Sequence, residues 1–304
     1  MIKGSIVALV TPFTNDNKIN YSKLYELLDY QINNGSDGIL LFGTTGEGST
    51  LTKNEKVEIA KRSIEYVKNR IPLILNAGSN STQEAIELVK ELSSLHPYAL
   101  LVINPYYNKG NDEGIFKHYQ ELNKVSEVPI IIYNVPSRTG KDMSISLIKR
   151  IMTLDKIIGL KEASNDINKL IELSKIQNEK FYWYSGNDYR VIEDIKLGSK
   201  GLIGVMTNSH PKLVKEMIDC TFIEDYEKAY DIFFKLENYI KSLSLEVNPI
   251  PIKEALNILG YDVGNFRLPL YNLEDDKREI LIDALKEIEE WTLLFPDMEK
   301  WERV

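Results

Sequence analysis

Lysine is among the residues least often buried, yet the segment "IIGLKEAS" (157–164) runs from four residues of apolar character straight into Lys161. Two readings compete. A strand-end lysine can carry its ammonium out to water along its own stem. Alternatively, a dry pocket lowers the amine's pKa from about 10.4 towards 7–8, and the neutral fraction becomes a nucleophile for a carbonyl carbon. Other residues pose the same kind of choice. Tyr133 closes the run "PIIIYNVP" (129–136), either as a core aromatic or as a phenol facing an open rim. "GTTGEG" (43–48) is neither a Walker A loop nor GxGxxG. It is a tight turn, or a nest of backbone N–H groups that holds a carboxylate with the hydroxyls of Thr44 and Thr45. Arg138 follows a proline turn, as a solvated charge or as a bidentate carboxylate clamp.

These residues share one kind of position, the C-terminal end of a short apolar run. Eight such runs occur, at 5–13, 38–43, 72–78, 98–105, 129–136, 157–164, 181–188 and 201–207. Most lack polar alternation, as parallel strands covered on both faces do. Between them lie stretches of helical spacing. "YSKLYELLDYQINNG" sets Leu24, Leu27, Leu28 and Ile32 on one face, and "TQEAIELVKELSSL" follows a Ser81 cap. Eight strand–helix units over about 220 residues predict a (β/α)8 TIM barrel, whose usual size is roughly 250 residues; an open doubly wound sheet is the alternative. After Pro211 the pattern is helical only. Residues 1–222 are expected to form the barrel carrying the active site, and 223–304 a C-terminal helical extension. Active sites of such barrels lie at the C-terminal ends of the strands. That rule gathers "GTTGEGSTLT", "NPYYNKG", "YNVPSRTG", Lys161, "SGND" and Gly204 onto one rim.

Composition narrows the function classes. The chain has 304 residues, 43% hydrophobic and 27% charged, with a net charge of −8. This suits a globular enzyme and argues against nucleic acid as a partner, which calls for a basic face. With the single cysteine Cys220, no intrachain disulfide can form, and the three histidines are scattered, so no zinc-type cluster is expected. No apolar run approaches the ~18 residues of a membrane span, and the first one is shorter than a signal-peptide core. A cytoplasmic enzyme without a metal is the expectation.

Taken together, "GTTGEGSTLT", "NPYYNK", "YNVPSRTG", "GLKEAS" and "SGND", in this order and spacing and followed by "NPIPIKEAL" (248–256), resemble the dihydrodipicolinate synthase / N-acetylneuraminate lyase family of class I aldolases. Arg138 and the "NPIPIK" segment resemble the synthase branch rather than the lyase. The resemblance implies that Lys161 forms an imine with pyruvate, with no diffusible cofactor, and that the derived enamine attacks L-aspartate 4-semialdehyde. It implies that Tyr133 moves protons beside the imine, and that Thr44 links it to Tyr107 reaching across a subunit interface of a homo-oligomer, commonly a tetramer built as a dimer of dimers. Thr45 would hold the pyruvate carboxylate and Arg138 that of the semialdehyde, with backbone groups of Gly186 and Ile203 near the pocket. Another pyruvate aldolase, for sialic acid or a 2-keto-3-deoxy sugar acid, is the alternative substrate assignment. A catalytically silent binding protein is the alternative of a different class. Some members of the family bind L-lysine in an interface cleft. Asn80, Glu84 and Tyr106 fit that pattern, whereas Lys53 and Lys56 place two cations there, so weak or absent lysine inhibition is expected.

Overall fold

The computed structural model describes residues 1–294. Eight parallel strands close on themselves in sequence order: β1 (Gly4–Ala8), β2 (Gly38–Leu41), β3 (Leu73–Asn76), β4 (Ala99–Ile103), β5 (Ile130–Asn134), β6 (Ile157–Glu162), β7 (Tyr182–Ser185) and β8 (Gly201–Gly204). β8 pairs with β1 through Gly4 to Gly201 and Ile6 to Ile203, so the sheet has no open edge. The barrel prediction holds, and the open sheet is excluded.

The apolar strands have a direct physical cause: two separate cores share one sheet. Ile6, Leu40, Ile74, Leu101, Ile131 and Tyr133 pack inside the barrel, while their neighbours Val7, Ile39, Leu75, Leu100, Ile132 and Leu160 pack outward against the helices. With both faces dry, alternation in polarity disappears although alternation in direction remains. The strands are shorter than the apolar runs. Phe42 leaves the β2 ladder at φ +40°, and Leu9 to Phe13 stay buried beyond β1 without joining it. Burial continues where pairing has ended.

The helices are α1 (Tyr21–Asn33), α2 (Lys53–Val67), α3 (Thr82–Ser93), α4 (Asp112–Val125), the one-turn α5 (Pro136–Thr139), α6 (Ile145–Ile151), α7 (Ile167–Ile176), α8 (Val191–Lys196), α9 (Pro211–Phe222), α10 (Tyr226–Ser242), α11 (Ile250–Ile258) and α12 (Asp275–Leu294). Their starts follow local chemistry. Ser81 accepts from the Glu84 N–H at the head of α3, and Thr52 and Glu55 form a reciprocal capping box at the head of α2. Arg138, expected in a loop, sits in α5, where Pro136 supplies the helical φ at the first position. After α9 packs back on β1, α10 lies against α9 and α12. α11 begins near the C-terminal rim of the barrel, where Asn248 just ahead of it contacts Thr45 and Arg138.

Candidate active site

β5 and β6 set the centre of the site. Ile130 opposes Ile157, but Ile131 opposes Gly159, so Ile158 is an extra residue in the β6 strand. Because side chains alternate with period two, this one-residue shift places Lys161, rather than Leu160, opposite Tyr133, with both pointing into the barrel. Lys161 is buried, and its Nζ lies 4.6 Å from the centroid of the Tyr133 ring. Burial pushes the amine down to about 8; the carboxylate of Asp188 opposes the shift and Arg138 adds to it. At that value roughly one amine in ten is neutral at pH 7, against about one in 3,000 for an ordinary lysine. Lys161 is therefore enclosed rather than extended to water along its own stem.

Burial pushes the Tyr133 phenol up to about 12, while Arg138 and a hydrogen bond with the Thr44 hydroxyl pull the other way. The phenol is therefore protonated at neutral pH and available as a donor. Thr44 and Thr45 stand on a turn that a side chain at Gly48 would break: a Cβ there would lie 2.0 Å from the Phe42 carbonyl oxygen. The turn is closed by Gly48 N–H donating to Gly43 O (3.0 Å) and Glu47 N–H to Thr44 O (3.1 Å). Gly186 serves close approach too, since a Cβ would sit 3.0 Å from Lys161 Cε. Ile203 is buried in the inner core on β8.

Three side chains that local sequence did not single out complete the rim. Asn248 Nδ2 donates to Thr45 Oγ1 (3.0 Å), and the Asn248 carbonyl accepts from Arg138 Nη2 (3.0 Å). One residue thus ties together two predicted substrate contacts from over 100 positions away, a separation no local pattern reveals. Asp188, within the quoted "SGND", accepts from the Val205 N–H (2.9 Å) and Met206 N–H (3.2 Å). Burial raises its pKa, while these donors and Lys161 lower it. Glu162, one residue past Lys161, points outward and is fully buried. It accepts from Asn134 Nδ2 (2.8 Å) and the Ser164 N–H (2.7 Å), and Lys169 Nζ lies 3.1 Å from its other oxygen. Asn134 and Glu162 occupy the rung next to Tyr133 and Lys161, so this bond pins the strand pair at the reacting centre.

Not every expected residue joins this group. Tyr107 is 87% exposed at φ +70° and is not hydrogen-bonded to Thr44 within the chain. Near the expected regulatory cleft, the Asn80 carbonyl accepts from Asn108 Nδ2, Glu84 accepts from Ser79 Oγ, and Tyr106 is partly exposed. Lys53 is paired with Glu91 (2.6 Å), with Glu87 at 3.8 Å. Only Lys56 feels Glu84, and burial lowers its pKa against that attraction. Lys53 is thus paired with α3 carboxylates, and Lys56 lies beside Glu84. Among the described residues no group of three or more His, Cys, Asp or Glu side chains is arranged to hold a metal, and no helix is long and apolar enough to cross a membrane.

The closed barrel and this rim define a class: a (β/α)8-barrel enzyme that buries a lysine amine beside a phenol under a threonine turn. The chain belongs to the dihydrodipicolinate synthetase family, whose model matches residues 1–288. It is 43% identical to a 4-hydroxy-tetrahydrodipicolinate synthase of a Thermoanaerobacter species, over 94% of this chain and 96% of that protein. The crystal structure of a chloride-inhibited dihydrodipicolinate synthase from Acinetobacter baumannii complexed with pyruvate superposes with a TM-score of 0.92 at 39% identity, covering 95% of this chain and 99% of the other. A DHDPS from Cyanidioschyzon merolae, solved with lysine bound, superposes at 0.91 with 33% identity, over 95% and 98% of the two chains.

Proposed function

We infer that the protein is a lyase that condenses pyruvate with L-aspartate 4-semialdehyde to give 4-hydroxy-tetrahydrodipicolinate, on the path to diaminopimelate and lysine. The observation that carries this reading is the desolvated Lys161 amine facing the Tyr133 ring across one rung of the barrel. The neutral amine adds to the ketone carbon of pyruvate and water leaves, giving an imine on Nζ. The protonated imine acidifies the methyl group, and loss of one methyl proton gives an enamine. Its carbon attacks the semialdehyde carbonyl, the new alkoxide takes a proton from the Tyr133 phenol, which Thr44 re-supplies through its hydroxyl, and the amino group of the semialdehyde part then attacks the imine carbon, closing the ring and expelling Lys161 as the free amine. Thr45 with its turn holds the pyruvate carboxylate, Arg138 the carboxylate of the semialdehyde, and Gly186 and Ile203 line the pocket with backbone. No metal or diffusible cofactor enters these steps. Product formation from the two substrates, followed by coupled reduction, tests the reaction; failure to consume the semialdehyde in the presence of pyruvate would refute it.

The exposure of Tyr107 supports an oligomer in which this side chain reaches a neighbour's Thr44, and the family's tetramer is the proposed assembly, in the cytoplasm. Arg138 gives a prediction specific to the second substrate. In Arg138→Ala, lost charge-assisted hydrogen bonds are worth about 1.5–3 kcal/mol, so kcat/KM for the semialdehyde falls roughly 10- to 150-fold. Covalent trapping of pyruvate falls much less. Equal losses in both assays would show that Arg138 supports the rim as a whole through Asn248. For L-lysine, the half-buried Lys56 cation beside Glu84 opposes a second ammonium. An initial-rate titration with L-lysine at saturating pyruvate is expected to show weak or no inhibition, and Lys56→His to strengthen it. Strong inhibition of the unaltered enzyme at sub-millimolar lysine would reverse the assignment of Lys56 to the cleft.

A further inference from the structure

The Glu47 side chain belongs to none of the steps above, yet it is the most deeply buried acid of the threonine turn. It and Lys253 of α11 are both fully buried and form an ion pair of 2.7 Å. The ammonium is saturated: its three protons face Glu47 Oε1 (2.7 Å), Asn265 O (2.7 Å) and Thr11 O (3.2 Å), and the charge lies 4.4 Å from the Phe13 ring centroid. Both carboxylate oxygens act as acceptors, Oε2 taking the Arg267 N–H at 3.1 Å, which fits the ionised form. Glu47 itself sits at φ +52°, and the Gly46 carbonyl beside it accepts from Thr11 Oγ1 (2.6 Å). The turn is thus held by Thr11, in the segment after β1, and by Lys253 of α11 through polar and charged bonds.

We propose that Lys253 sets the electrostatics of pyruvate binding: by pairing with Glu47 it cancels a buried negative charge within the turn that carries Thr44 and Thr45, where the substrate carboxylate binds. The proposal rests on the assignment of the pyruvate carboxylate to the Thr45 turn. Its physical content is a sign. An anion left unpaired in a dry site repels a second carboxylate, whereas a cation left there attracts it. A pair that merely braced the fold would respond to either loss in the same direction.

The experiment measures KM for pyruvate and kcat, at saturating semialdehyde, in Glu47→Gln, Lys253→Met and the double variant, together with borohydride trapping of pyruvate. Lys253→Met is expected to raise KM for pyruvate about tenfold while kcat changes about threefold or less. Glu47→Gln, which keeps the shape and an oxygen acceptor, is expected to leave KM equal or lower. The double variant removes both charges and is expected to return KM to within about threefold of the parent. A raised KM in Glu47→Gln, or a double variant no better than Lys253→Met, overturns the proposal. Should Lys253→Met fail to fold, Lys253→Gln, which removes the charge but keeps donors for the Thr11 and Asn265 carbonyls, takes its place with the same expected rise in KM and the same overturning results. Absence of a trapped adduct on Lys161 in the parent enzyme would instead overturn the imine reading, so the two failures are separable.

Discussion

Lys161→Ala forms no covalent adduct with pyruvate and borohydride, and its kcat falls at least about a thousandfold, as losses of a nucleophile do. The methyl group of alanine has no lone pair with which to form an imine. The other buried lysines of the site region are held by oxygen: Lys253 through all three ammonium protons, and Lys169 by Asp142 and Glu162. Lys109 stands on the loop after β4 and hosts no such pocket. The pH dependence follows from the sign of the shift. As pH falls below about 8 the neutral fraction of the Lys161 amine shrinks, so the trapping rate of the parent enzyme rises as pH climbs to about 8 and then levels off. Mass spectrometry of the reduced peptide checks the site, and stopped trapping at graded pH checks the profile. An adduct that persists in Lys161→Ala, or one that maps to Lys109 or Lys253, removes Lys161 from the mechanism.

Tyr133→Phe has the second largest effect. Phenylalanine keeps the ring that packs over Lys161 and loses only the hydroxyl, so the barrel is undisturbed and pyruvate still finds its amine. What disappears is the proton donor for the alkoxide formed in carbon–carbon bond formation. Loss of a positioned acid typically costs about 10²- to 10⁴-fold, and kcat is expected to fall by that factor with KM for pyruvate little changed. Steady-state kinetics with both substrates, beside a circular-dichroism melt to verify the fold, make the comparison. A kcat within about tenfold of the parent would assign proton transfer to solvent rather than to the phenol.

The barrel was legible because its strands are dry on two sides, and a run such as Ile130-Ile131-Ile132 can hardly mean anything else between two helical stretches. Strand ends were less legible. Phe42 and Leu9 to Phe13 are as buried as any strand residue, and hydrophobicity reports burial rather than ladder pairing. Lys161, Tyr133 and the two threonines stood out because polar groups closing apolar runs violate the local pattern. The bulge at Ile158 that faces Lys161 towards Tyr133 left no such mark, since isoleucine suits either register. Asn248, Glu47 and Lys253 escaped for another reason. Their meaning is relational, fixed by partners 110 to 206 residues away, and each alone reads as an ordinary polar residue. Lys53 shows the converse: its charge is visible in the sequence, whereas its pairing with the α3 carboxylates is not.

The bridge that Asn248 makes between Thr45 and Arg138 also has a consequence in time. Ribosomes emit a chain from its N-terminus at about 5–20 residues per second. All eight strands and the reactive lysine are therefore outside well before residue 248 appears, and the interval between Lys161 and Asn248 lasts roughly 5 to 20 seconds at those speeds. During that interval a nascent barrel has its amine in place, while the Thr45 hydroxyl lacks its amide donor and the Arg138 guanidinium lacks its carbonyl. The chain's own part of the site is completed only with the last fifth of the sequence.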